Sequence, residues 1–102
     1  EGGELIYAGA GSEGDGLLTV QNKEGKDLIY AGASETGNGN LRVFNKEGKD
    51  LIYAGSNSSG GIILIDNITG ETAVELRTDD YGHGYIGAWG RNGKGRTLKP
   101  GQ

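Results

Sequence analysis

The sequence predicts an all-β fold, an antiparallel meander of about eight short strands, on three observations. A 23-residue unit recurs: Leu5-Ile6-Tyr7-Ala8-Gly9 returns as 28–32 and again as 51–55. Within each unit, apolar and other positions alternate with a period of two, the period of a half-covered strand. Glycine supplies 22 of the 102 residues and interrupts every window that might carry a helical stripe.

Taken in order, each unit reads as two strands. The first kind spans 4–9, 27–32, 50–55 and 72–77; the second spans 17–22, 40–45, 62–67 and 84–89. Both are rich in Ile, Leu, Val and aromatic residues and are bounded by Gly, Asn and Asp. Asn22-Lys23-Glu24-Gly25-Lys26-Asp27 recurs at 45–50, and diverged copies begin at Asn67 and Gly90. This connection predicts a tight hairpin. The Asn side chain holds the turn, and Gly25, Gly48, Gly70 or Gly93 takes a left-handed backbone angle. The other connections, 10–16, 33–39, 56–61 and 78–84, read as looser Gly-rich loops. One domain results, with repeats at 4–26, 27–49, 50–71 and 72–94 and a C-terminal cap at 95–102.

Alternation assigns the faces. One is wholly aliphatic: Ile6 and Ala8, Leu18 and Val20, Ile29 and Ala31, Leu41 and Val43, Ile52 and Ala54, Ile63 and Ile65, Val74 and Leu76, Ile86 and Ala88. The other is mixed and carries Tyr7, Tyr30 and Tyr53 in one register. An open sheet cannot hide an aliphatic face from water by itself. The repeat has no long crossover to fold one half over the other. Ala at four inward positions suits a narrow shared axis, and the glycines raise the entropy cost of ordering a chain this small. These points predict a homo-oligomer whose core is those sixteen residues, with a threefold β-prism as its form. A single-chain small barrel or sandwich is the alternative.

The run Gly39-Asn40-Leu41-Arg42-Val43-Phe44-Asn45-Lys46-Glu47-Gly48-Lys49-Asp50-Leu51 resembles a repeat of bacterial and phage-type proteins in which Asn-Gly-Lys hairpins alternate with Gly-rich loops. Trimeric β-prism and triple-stranded β-helix segments of phage tail fibres and spikes are the related architectures. The resemblance covers roughly residues 4–99. It implies a homotrimeric, fibre-like structural part and transfers no catalytic residue.

Composition narrows the chemistry. There is no Cys, which excludes disulfides and Cys-based zinc sites. The longest purely apolar run is residues 62–65, far too short for a helical membrane span. All acids lie in residues 1–80, which carry a net −8, whereas residues 81–102 carry +4. An acidic body of this kind argues against binding along a nucleic-acid backbone. The start at Glu1 without Met points to a processed protein or a segment of a longer one; the lack of Cys fits any compartment, so localisation stays open, with an extracellular, cell-surface or virion-associated setting favoured.

Site candidates are few. Tyr30, Tyr53, Tyr85 and Trp89, with His83, are the residues that would stack on and contact a polysaccharide. For Tyr7, Tyr30 and Tyr53 cover of the outer sheet surface is the preferred reading, because an identical repeat copies its packing residues. Tyr81, Tyr85 and Trp89, near His83, break the repeat and are the better candidates for a specific site. Asp79 and Asp80, beside His83, are the acids nearest to a metal or acid–base site, but no metal-ligand spacing accompanies them. A solvated loop is the preferred reading. No catalytic residue and no cofactor is expected. The sequence thus points to a non-enzymatic oligomerisation module, a stalk or fibre segment. A carbohydrate-binding module is the alternative, and a polysaccharide-degrading enzyme ranks last.

Overall fold

A computed structural model describes residues 5–100. It contains nine strands: β1 (Ile6–Ala10), β2 (Gly16–Gln21), β3 (Asp27–Ala33), β4 (Gly39–Phe44), β5 (Asp50–Asn57), β6 (Gly60–Asp66), β7 (Thr72–Thr78), β8 (Gly84–Trp89) and β9 (Gly95–Leu98). They form one antiparallel sheet in sequence order, each strand paired with its chain neighbours. Strand β9 is an addition to the expected eight; it occupies the start of the segment read as a cap, whose last two residues lie outside the described range, as does Glu4 of the first repeat. β1 and β9 do not pair, so the single-chain barrel or sandwich is not formed. With every connection a short hairpin, no segment is long enough to carry half the chain across the sheet.

The connections read as loose are in fact tight. In Asn22–Lys26, the N–H of Asn22 donates to the carbonyl of Lys26, and the N–H of Gly25 to that of Asn22. Gly11–Asp15, Ser34–Asn38, Asp79–His83 and Gly90–Lys94 repeat this pair of bonds, as do Asn45–Lys49 and Asn67–Glu71. Each has a glycine with positive φ at its fourth position, from Gly14 to Gly93. That angle is nearly free for glycine and lets a turn end in a bulge that rejoins the ladder. Gly, Ser or Asp opening the turn disguised it. The exception is the hairpin after β5, where Asn57 pairs directly with Gly60 around Ser58 and Ser59.

The two kinds of connection do differ one residue further on. After the Asn turns the ladder shifts: Val20 pairs with Ile29 but Gln21 with Asp27, Val43 with Ile52 but Phe44 with Asp50, Ile65 with Val74 but Asp66 with Thr72. Leu28, Leu51 and Ala73 are the extra residues of these bulges. The shift is needed because the repeat length is odd. Strict alternation would set Leu28 against Val20 and turn Ile29 to the opposite side. The bulge absorbs one residue and returns every aliphatic pair to the same face. Side chains brace the site: Gln21 Nε2 donates to Asp27 Oδ1 at 3.0 Å, and Thr72 Oγ1 to Asp66 Oδ1 at 3.0 Å.

The result is a slab of 54 × 30 × 15 Å. Its thickness is one sheet with side chains on both sides. The radius of gyration is 16.0 Å, against about 13 Å for a compact chain of this length. The accessible surface is 7152 Å², whereas a compact monomer of this mass exposes about 5,500 Å². Among the described residues no hydrophobic side chain is buried, and Gly87 is the one buried residue.

Candidate functional site

Cross-strand register turns the aliphatic positions into two straight rows. One runs Ala8, Leu18, Ala31, Leu41, Ala54, Ile63, Leu76, Ile86 and on to Leu98 in β9; the other runs Ile6, Val20, Ile29, Val43, Ile52, Ile65, Val74, Ala88 and ends at Arg96. All sixteen residues expected on this face share it. Leu18, Leu41, Ile52, Ile63, Ile65, Leu76 and Ile86 are exposed, at 36–46%, and Ile6 at the edge at 65%. A continuous apolar surface of this length is far more than a scatter of single exposed side chains.

Glycines border the rows. Gly16, Gly39, Gly61 and Gly84 each lie two residues before Leu18, Leu41, Ile63 and Ile86, which puts them on the same face. Their spacing follows the repeat. None has a positive φ, and a Cβ on Gly16, Gly39 or Gly84 would meet nothing within 4 Å. The fold of one chain therefore does not require glycine at these places. Beside Gly61 and Gly84, the face has a shallow depression of about 560 Å³, bordered by Ala54, Ile63, Leu76 and Ile86.

The opposite face is built differently. Tyr7, Thr19, Tyr30, Arg42, Tyr53 and Leu64 form one cross-strand row. Each tyrosine reaches over the glycine two residues ahead. A Cβ on Gly9 would lie 2.8 Å from Tyr7 Oη, on Gly32 3.2 Å from Tyr30 Oη, and on Gly55 2.6 Å from Tyr53 Oη. Trp89 covers Gly87 in the reverse direction. The repeated Tyr-Ala-Gly is thus a packing motif in which glycine leaves a floor for the ring. The Arg42 guanidinium stacks 4.9 Å from the Tyr53 centroid and pairs with Asp50 at 2.5 Å. Arg77 and Lys99 stand 5.2 and 5.3 Å from the Tyr85 ring, and Arg77 also pairs with Glu75 at 2.8 Å.

Of the ring candidates, Tyr30 and Tyr53 line one open depression of about 550 Å³, together with Ser34, Glu35, Thr36, Asn40, Arg42 and Phe44. Asn40 Oδ1 is shut off from solvent there and has no hydrogen-bond partner. Tyr85, Trp89 and His83 do not line it. Asn40 and Arg42 were not legible as site residues, because polar residues on an outer strand face are ordinary; only the register sets them between the two tyrosines.

Asp79 and Asp80 have structural partners. Asp79 Oδ1 accepts the N–H of Tyr81 at 3.0 Å and of His83 at 2.9 Å, as the Asn residues do in their turns. The His83 N–H is the main influence holding the Asp79 carboxyl below its ordinary pKa. Asp80 accepts a hydrogen bond from Ser59 Oγ, and Thr78 Oγ1 donates to the Ser59 carbonyl at 2.9 Å. These bonds tie the two neighbouring hairpins on that side of the sheet together. Among the described residues no three His, Asp or Glu side chains are grouped so as to hold a metal ion. In a second turn, Asn67 and Thr69 bond the Glu71 carboxyl and lower its pKa, with Arg91 3.9 Å away adding to the effect.

With this geometry in hand, comparison with protein-family models and with curated proteins finds no match to the chain.

Proposed function

We propose that the chain is a non-enzymatic oligomerisation module, a stalk- or fibre-like segment in which three copies pack their aliphatic faces around a common axis as a β-prism. The observation that carries this reading is the uncovered apolar face of a single-layer sheet. Covering a large aliphatic side chain contributes about 1.5–3 kcal/mol, and the described residues form a single sheet with no second layer to do it. The surplus of accessible surface over a compact monomer, about 1,700 Å² for one chain, is about twice the roughly 800 Å² that one partner contributes to a standard interface, as suits a chain with a neighbour on each side.

Two features favour three copies over two. The apolar band is narrow, two aliphatic residues per strand, and long, crossing eight strands with one row reaching the ninth at Leu98; a narrow strip suits one side of a prism. The glycines bordering it, free of any demand from their own chain, suit corners where neighbouring backbones approach closely. The module acts mechanically: repetition sets its length, and burial between chains locks it.

Light scattering after size exclusion tests the reading. About three times the chain mass of 10.6 kDa is the expected result. A well-folded 10.6 kDa species at micromolar concentration would overturn it.

A further inference from the structure

We propose that the outer face carries a binding surface for an extended neutral polysaccharide, centred on Tyr30 and Tyr53 with Arg42 and Asn40 between them. The inference does not rest on the oligomer, because it uses the face opposite the aliphatic rows.

The first ground is spacing. Tyr7, Tyr30 and Tyr53 stand on alternate strands in one cross-strand row, so their rings recur every 10 Å or so. That step is close to the advance of a disaccharide unit along an extended β-linked glycan. The second is posture. Each ring leans over a glycine rather than standing off the sheet. At Tyr30 this presents a low apolar platform of the kind that the C–H face of a pyranose covers; at Tyr53 the Arg42 guanidinium, 4.9 Å from the centroid, shares the ring.

The third ground is the set of polar groups between the platforms. Ser34, Glu35 and Thr36 line the rim of the depression, and Arg42 stands between the two rings. A guanidinium, a carboxylate and hydroxyls are groups that hold sugar hydroxyls in place. Charge selects against polyanions. Asp50 at 2.5 Å already neutralises Arg42, Glu35 adds negative charge, and residues 1–80 are net −8. Tyr85 lies outside this depression, flanked by Arg77 and Lys99.

The test is depletion of the full chain from solution by cellulose and by chitin powder, with soluble heparin as the anionic comparison. Depletion by at least one of the two solids is expected, with no binding to heparin. Tyr30→Ala and Tyr53→Ala should each weaken it about tenfold, while Tyr85→Ala, outside the depression, leaves it unchanged. Circular dichroism and light scattering on the same samples separate lost binding from lost folding or assembly. If the alanine variants do not fold, chemical-shift mapping with a soluble cello-oligosaccharide and the wild-type chain decides: shifts confined to β3–β5 support the site. No depletion by either solid, undiminished binding by the folded alanine variants, preference for heparin, or shifts elsewhere would each overturn the proposal.

Discussion

At the scale of single residues, glycine does three different jobs in this chain, and the jobs can be separated. Gly14, Gly25 and their equivalents take positive φ in turns. Gly9, Gly32, Gly55 and Gly87 have ordinary strand angles but lie under aromatic rings. Gly16, Gly39 and Gly84 have neither constraint. Composition alone cannot distinguish these roles, since all three read as an interruption in a strand pattern. The second job is open to test. In Gly55→Ala the new methyl would meet Tyr53 Oη at 2.6 Å and Asn40 Cβ at 3.2 Å. Lifting the ring should cost about 1–3 kcal/mol, as overpacking does. Thermal or urea unfolding checks this, and a stability equal to wild type would show that the ring does not need its glycine floor.

Among elements, the instructive one is the hairpin. Seven turns share one hydrogen-bond pattern although their first residue is Asn, Gly, Ser or Asp. Where it is Asn, its Oδ1 adds two bonds, as in Asn45, which accepts from the N–H of Glu47 at 3.0 Å and of Lys49 at 3.1 Å. Asn45→Ala removes both, and the N–H groups turn to water. A loss of about 1 kcal/mol is the expectation, read as a lower midpoint in chemical denaturation. An unaltered midpoint would mean that the glycine and the backbone bonds hold the turn unaided. The Asn repeat with Gly25, Gly48, Gly70 and Gly93 was plain in the sequence, whereas Gly14, Gly37 and Gly82 lay in connections read as loose. The bulges at Leu28 and Leu51 were not plain, although the odd repeat length implied that something must restore the phase of the faces.

For the whole molecule, the slab has an aliphatic face that the described residues leave exposed. All sixteen expected aliphatic positions were legible from alternation, and the cross-strand register places them on one side. The glycine border beside them was not legible, because its meaning depends on finding empty space around each residue. If these glycines admit a neighbouring backbone, Gly39→Val should leave the turns and pairing of one chain undisturbed, for a Cβ there meets nothing within 4 Å. It should nevertheless lower the assembled mass or make it concentration-dependent in light scattering. An unchanged mass and melting temperature would remove the close-approach role. The candidate ligand groove divides the same way. Tyr30 and Tyr53 stood out by repetition, whereas Arg42 and Asn40 entered through register.

The amino-acid sequence by itself determined the strand class, the hairpin order and the membership of the aliphatic face, because all three are local: two-residue alternation and turn chemistry act over a few neighbours. Tertiary structure decided that the sheet stays open and that a ninth strand extends it. It also set which polar residues stand between the tyrosines and which glycines the chain does not itself require. Those outcomes depend on pairing and free space between residues of different strands, where no short stretch of sequence holds the whole contact.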